Sequence, residues 1–322
     1  MPMVVGFTHA REAPVCLERP LGAPGPGEVG VRVLACGLGI ADFGFFQLDA
    51  LPRTPLVPGL EAVGLVEAVG EGASLAVGTK VGLGPVVRAC GRCDRCMTGL
   101  ERWCEGVQLH AWHRDGLLSE HVLTAAERVV PLHADDDAVV MAPLFATGWT
   151  ALSAVNAAGL FAGQRLGVIG VGGLGHLVVQ LARARSLEVA AVDADPTRTA
   201  LGVSLGAEPG LTGSLDAIVV CTPSAQALQL AARVVRRGGV VVLAAASPSV
   251  RFDLSLFDTV MRGLSLRPAF LGSRAELEEL VALYRHGLVV PRVTPLPLAE
   301  VPSRFWLLRD GGFEGRLVAT PG

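Results

Sequence analysis

The stretch Arg165-Leu166-Gly167-Val168-Ile169-Gly170-Val171-Gly172-Gly173-Leu174-Gly175 decides the fold. Its first five residues form a short apolar run that reads as a buried strand. Its remainder is G-x-G-x-x-G, and Leu174–Ala184 continues with helical spacing. Gly170 makes the tight turn, Gly172 lets the backbone approach a pyrophosphate, and Gly175 lets helix and strand pack closely. Gly173 and Leu174 complete the loop, and the helix N-terminus behind it faces phosphate charge. By itself the pattern also fits a glycine-rich turn. The next strand, Val189–Val192, ends at Asp193, about twenty residues on, where a carboxylate can bond the adenosine ribose hydroxyls of a dinucleotide. That charge repels a 2′-phosphate, so NAD(H) is favoured over NADP(H). Arg198 either brackets the adenosine or is an exposed helix residue.

Outward from this loop, strand and helix alternate. Asp216–Cys221, Gly239–Ala244 and Leu264–Phe270 read as further strands, with helical stretches such as Ala225–Val235 between them. Such alternation indicates an α/β fold with a doubly wound parallel sheet. One more amphipathic helix, Arg274–Arg285, follows. Upstream of Met141 the texture is different: Gly- and Pro-rich, with short β-type runs such as Glu28–Leu34 and Ala62–Val69. The tail, Val293–Val318, returns to short β pieces. We therefore expect an irregular β domain from residues 1–145 and 285–322, and a Rossmann dinucleotide-binding domain from residues 146–284.

The chain has 322 residues, enough for two cores. Hydrophobic residues make up 51%, but no uninterrupted apolar run is long enough for a membrane span. The first residues lack a signal-peptide pattern, so a cytoplasmic location is expected. Net charge is −3 with no basic stripe, which argues against a nucleic-acid partner. Lys80 is the only lysine among 27 basic residues, a pattern of GC-rich codon usage rather than of mechanism.

Four of the seven cysteines form Cys90-x2-Cys93-x2-Cys96-x7-Cys104. Four thiolates at this spacing can wrap one tetrahedral zinc and leave no open coordination position. Disulfides or free core thiols are the alternatives, and the regular spacing suits simple pairing poorly. The expected zinc is therefore structural, tying down a loop without a core of its own. Cys16, Cys36 and Cys221 read as small buried hydrophobes.

The glycine loop, the cysteine lobe and the domain order together resemble the zinc alcohol dehydrogenases of the medium-chain dehydrogenase/reductase family. The resemblance covers essentially the whole chain. It includes Pro24-Gly25-Pro26-Gly27-Glu28-Val29, Asp115-Gly116 with Glu120-His121-Val122, and the closing Gly315-Arg316-Leu317-Val318. It implies a GroES-like β domain beside the Rossmann domain and a homodimer or homotetramer. It also implies Thr150 on the nicotinamide, Arg316 near the pyrophosphate, and Gly272-Ser273-Arg274 as a loop beside the cofactor.

Three positions depart from the family pattern. The motif C-G-V-C-x-T-D reads Cys36-Gly37-Leu38-Gly39-Ile40-Ala41-Asp42, so the ligand cysteine is Gly39 and the proton-relaying Thr or Ser is Ala41. The motif P-G-H-E reads Pro58-Gly59-Leu60-Glu61, so the ligand histidine is Leu60. The third ligand position is Ala146. The resemblance therefore implies no catalytic zinc. Without a Lewis acid, a plain ketone is a difficult hydride acceptor. A conjugated alkene delocalises the charge and an iminium already carries it. The expected function is reduction of an activated C=C or C=N bond of a small hydrophobic substrate, conjugate reduction or reductive cyclisation. Alcohol or aldehyde chemistry at another metal site, and dinucleotide binding without catalysis, are the competing readings.

For the proton donor, Glu61 among apolar neighbours such as Leu60 is expected to hold a raised pKa and donate. Asp42 is a second candidate, although holding backbone groups suits it better. His113, with His110 and Trp112, is a third. Phe43, Phe45 and Phe46 either line a pocket or fill the core.

Overall fold

The computed structural model describes all 322 residues. The chain divides into two compact units, Met1–Ala146 with Val293–Gly322, and Thr147–Arg292.

In the Thr147–Arg292 unit the strand order is Glu208–Pro209, Glu188–Val192, Arg165–Ile169, Leu215–Val220, Val235–Leu243, Ser265–Pro268, all parallel. The first strand in sequence lies third in space, and the winding reverses on either side of it. That reversal is the switch point at which doubly wound sheets bind ligands. Its strands are buried on both faces, as Leu166, Val168, Ala190, Ile218 and Val242 show. Helix Gly175–Ala184 packs Leu177, Val178 and Leu181 inward. Asp195 caps the helix Pro196–Ser204 by accepting from the Thr197 N–H. Ser273 and Glu276 form a reciprocal capping box on helix Arg274–Arg285.

The other unit holds a mixed sheet. Its order is Val293–Pro297, Arg316–Thr320, Glu28–Leu38, Glu61–Val69, Lys80–Leu83, Val130–Pro131. His121–Ala125 pairs with the first half of Glu28–Leu38, while Arg316–Thr320 pairs with its end. The long strand Glu28–Leu38 is thus flanked by Glu61–Val69 on one edge and by Arg316–Thr320 on the other. The register places Glu61 opposite Gly37 and Leu317 opposite Leu38. This position of the chain's last strand is what assembles the site described below.

The return to the first unit comes after Arg292, not at residue 285 as expected. Two side chains of helix Gly175–Ala184 hold the intervening segment. Gln180 Oε1 accepts from the Val290 N–H at 2.9 Å while its amide donates to the Val290 carbonyl at 3.1 Å, and His176 Nε2 accepts from the Arg292 N–H at 3.1 Å. Val289 is fully buried beside them. No single helix is long and apolar enough to cross a membrane.

Candidate active site

The glycine loop has the shape its sequence demands. Gly170 lies at φ +93°, a conformation that disfavours any side chain, and a Cβ on Gly175 would strike the Gly170 carbonyl. Above Gly172 the space is open except for Arg198 Nη1, 3.7 Å from where a Cβ would stand. Asp193 accepts from the Val171 N–H at 2.7 Å and from the Asp195 N–H at 3.0 Å. It therefore fixes the loop that it follows in sequence, and each oxygen keeps acceptor capacity for a ribose hydroxyl. The cradle fits a dinucleotide, with Gly170, Gly172, Gly173, Leu174, Gly175, Asp193 and Arg198 around it. In the same unit, Thr150 Oγ1 accepts from the Leu271 N–H at 3.2 Å and Trp149 Nε1 donates to the Ser273 carbonyl at 2.9 Å. These bonds anchor the loop at Gly272-Ser273-Arg274.

His176 was not singled out from the sequence. It is fully buried, and its Nδ1 lies 3.0 Å from the Gly172 carbonyl. Since Nε2 accepts from Arg292, Nδ1 is the donor, and one imidazole joins the glycine loop to the chain's exit from this unit. Its place directly after the final glycine of the motif was the only signal available.

The four thiol groups of Cys90, Cys93, Cys96 and Cys104 all lie within 4.8 Å of one another. Cys90 and Cys96 are 3.8 Å apart and Cys93 and Cys96 3.5 Å. Tetrahedral zinc at about 2.3 Å from each sulfur requires edges of about 3.8 Å. Backbone N–H groups of Cys90 and Cys93 point at sulfurs, at 3.5 and 3.4 Å. The four residues fit zinc. The other grouping of ligand-type side chains is His133, Asp135 and Asp136 on the surface.

The departed positions lie elsewhere. Gly39, Leu60 and Ala146 have no side-chain atom able to bind a metal. Asp42 ties the two motifs together: its carboxylate accepts from the Gly39 N–H and from the Gly59 N–H, both at 2.9 Å. Asp42 thus holds backbone groups, the second of the two roles expected for it. Burial pushes its carboxyl up to about 6, against the pull of Arg316 and the two N–H donors, and the charge of Glu61 adds to the rise.

The surroundings of Glu61 correct the expectation of an isolated carboxyl. Glu61 is wholly buried, but Arg316 lies against it: Nε donates to Oε1 at 3.0 Å and Nη2 donates to the same oxygen. Glu61 is thus an ion-pair partner and not the lone carboxyl among apolar neighbours that the sequence suggested. Arg316, which the resemblance places near a pyrophosphate, turns across the strand end to Glu61. A Cβ on Gly39 would fall on its Nη1, and a Cβ on Gly37 would strike Glu61. Gly37 near the end of strand Glu28–Leu38 and Gly39, extended just beyond it, both meet the ion pair, and their missing side chains leave the trough in which it lies.

His113 is not brought to this cluster. It is exposed, and its Nδ1 accepts from the Leu109 N–H at 3.0 Å. His110 is buried between the Asp115 carbonyl and Thr124, and burial pushes it down to about 4. Phe43 and Phe45 are core residues: Phe43 stacks on Phe305 at 5.5 Å, and Phe45 meets Trp112 at 5.3 Å.

Comparison with known proteins agrees with this architecture. The family described as alcohol dehydrogenase GroES-like domain matches residues 25–134, and that described as zinc-binding dehydrogenase matches residues 173–286. An alcohol dehydrogenase of Moraxella sp. (strain TAE123) is 34% identical over 312 residues, covering 92% of each chain. The solved alcohol dehydrogenase of Aeropyrum pernix superposes with a TM-score of 0.93 at 26% identity, over 99% of this chain and 100% of that one. CAD from Helicobacter pylori, solved in complex with NADP(H), gives 0.92 at 22% identity, over 99% and 97%. The chain belongs to the medium-chain dehydrogenase/reductase family, as an alcohol dehydrogenase-like member. It is an NAD(P)-dependent oxidoreductase with a Rossmann and a GroES-like domain.

Proposed function

We propose that this protein is an NADH-dependent reductase of an activated double bond, C=C or C=N, and that it works without a catalytic metal. The observation that carries this reading is the guanidinium of Arg316 standing where the side chain of residue 39 would be, paired with Glu61. A cysteine at position 39 would have to displace the tip of this arginine. Leu60 and Ala146 supply no replacement ligand, and Ala41 has no hydroxyl to pass a proton to an alkoxide. Loss of one electrostatic stabiliser of an oxyanion costs about 3–4 kcal/mol. An electrophile that spreads or already carries charge is the acceptor least affected.

The bound nicotinamide supplies the hydride. The glycine loop and Asp193 bind the dinucleotide, with Asp193 favouring NADH by its charge. Cys90, Cys93, Cys96 and Cys104 hold one structural zinc. Ile40, Ala41, Leu60 and Ala146 suit a small hydrophobic substrate. For assembly, helix Leu256–Arg262 beside the edge strand Ser265–Pro268 exposes Leu256, Phe257, Val260 and Met261, which supports a homodimer or homotetramer joined through that sheet edge.

Metal content and a substrate panel test the reading together. We expect one zinc per chain, and NADH oxidation with cyclohex-2-enone or 1-pyrroline but not with cyclohexanone. Two metals per chain, with cyclohexanol oxidation lost on chelating the weaker one, would overturn it in favour of ordinary alcohol chemistry.

A further inference from the structure

A cavity of about 290 Å³ lies within the unit that begins at Met1. None of its lining residues belongs to the glycine loop, the cysteine lobe or the Glu61–Arg316 cluster. The Arg19 N–H donates to the Pro2 carbonyl at 3.0 Å, which docks the turn at Pro20 and Leu21 on the start of the chain. Charge in the lining is unequal. Arg19 Nε donates to Asp115 Oδ2 at 3.0 Å and its Nη2 to Oδ1 at 3.4 Å, while Arg53 Nη2 lies 3.3 Å from the same Oδ1. One carboxylate thus answers two guanidiniums, and a positive charge is left over. The other basic side chains do not cancel it. Arg114 is met by Glu28, and His121 Nε2 lies 3.0 Å from Glu67 Oε2. His113 adds a neutral donor: its Nδ1 accepts from the Leu109 N–H, so the uncharged ring carries its proton on Nε2. The side chains of Arg19, Arg53 and Asp115 are only 30%, 29% and 30% exposed, so attraction to the spare charge exceeds its value in bulk water.

We propose that this cavity binds a small monocarboxylate with an apolar body, its carboxylate received by the Arg19 and Arg53 pair beside Asp115. Val4, Pro20, Leu21 and Leu123 supply apolar lining for the body. A monocarboxylate carries the single charge that balances the lining, and its two coplanar oxygens match the fork of a guanidinium. Inorganic phosphate brings a larger charge and no apolar surface, so it suits the cavity less well. The volume stands at the foot of the range for small-molecule pockets, which excludes a large ligand. This site is independent of the reductase reading: it uses no residue assigned to the dinucleotide or to the reacting bond.

Calorimetric titration of the full chain with benzoate tests this, with benzamide and inorganic phosphate as comparison probes. Benzoate should bind saturably with a Kd on the order of 1 mM. Benzamide has the same body without the charge, and phosphate has charge without the body; each should bind about tenfold more weakly. Arg53→Gln removes the spare charge and leaves Asp115 paired with Arg19, so benzoate should weaken about tenfold. Asp115→Asn frees both guanidiniums, so benzoate should tighten about tenfold. A network that only braces the fold would not move benzoate affinity in opposite directions. No saturable benzoate binding by the wild type, or equal affinity in the wild type and Arg53→Gln, would overturn the site. Weakening in both variants would overturn the charge argument. Benzamide binding as tightly as benzoate would remove the role of the arginines, and phosphate binding more tightly than benzoate would overturn the carboxylate assignment. Should Asp115→Asn fail to fold, Arg53→Gln with the three probes still decides the outcome.

Discussion

Arg316 and Glu61 meet across a strand that separates their own. The strand Glu28–Leu38 runs between them, and the pair closes over it because Gly37 and Gly39 present no side chain there. Buried ion pairs of this kind add little when both partners are present and cost heavily when one is lost.

Removing one partner should therefore be worse than removing both. We expect Arg316→Met to destabilise the protein by about 3–5 kcal/mol, because Glu61 is left buried without its partner, and Arg316→Met/Glu61→Leu to recover most of that loss. Urea unfolding monitored by circular dichroism checks this. Equal stabilities for the single and double variants would show that the pair is not coupled.

Gly39→Cys should fold, because the atom in its way is the tip of a flexible side chain. The new side chain should instead push Arg316 off Glu61. The expected result is a loss of about 1–3 kcal/mol with zinc content unchanged. A second zinc bound by this single variant would contradict the account of the site.

The Asp42 carboxyl sets a pH dependence whose sign is unusual for an acid. Burial raises it from 3.8 to about 6. Between those values the native chain binds more protons than the unfolded one, so this residue's contribution to stability is full below about pH 4 and is lost as pH rises through about 6. A shift of that size corresponds to about 3 kcal/mol. Asp42→Asn does not titrate, so the Tm of the wild type relative to this variant should decline from pH 4 to pH 7. Parallel Tm curves over that range would refute the shift.

Cys93→Ser should release the lobe's zinc without acting on chemistry directly. Zinc content should fall from one per chain towards none, Tm should drop on the order of 5–10 °C, and proteolysis should begin between residues 90 and 104. A fully stable variant that keeps its zinc would count against a structural site.

Asp193→Ala should weaken NADH about ten- to hundred-fold, the range for a hydrogen bond to a charged group. Asp193 also accepts from the Val171 N–H, so some loss comes from a loosened glycine loop. NADPH separates the two effects. Loop loosening weakens both cofactors, whereas loss of the ribose contact narrows the gap between them. An unchanged NADH-to-NADPH ratio in isothermal titration would remove Asp193 from its selective role.

The features that could be read from the sequence are those built from neighbours in the chain. The glycine loop, the strand Arg165–Ile169 and helix Arg274–Arg285 stand where periodicity and turn chemistry put them, and the spacing of four cysteines marks one lobe. Glu61 misled because its partner lies 255 residues away. Nothing local to Leu60 or Glu61 signals a guanidinium. It arrives through the pairing of the last strand with the end of Glu28–Leu38, a register that a single sequence does not reveal. The return of the chain to the first unit was misplaced for a similar reason. Gln180 and His176 hold residues 290 and 292 from a helix more than a hundred residues earlier.

The trough at Gly37 and Gly39 also constrains how this sequence can change. A first step towards a metal ligand at position 39 displaces a buried cation at once, while two further ligands at positions 60 and 146 are still missing. Each intermediate on that path loses the ion pair before any ion can bind. In sequence space the site therefore behaves as a one-way valve: re-entry to metal dependence needs several substitutions together.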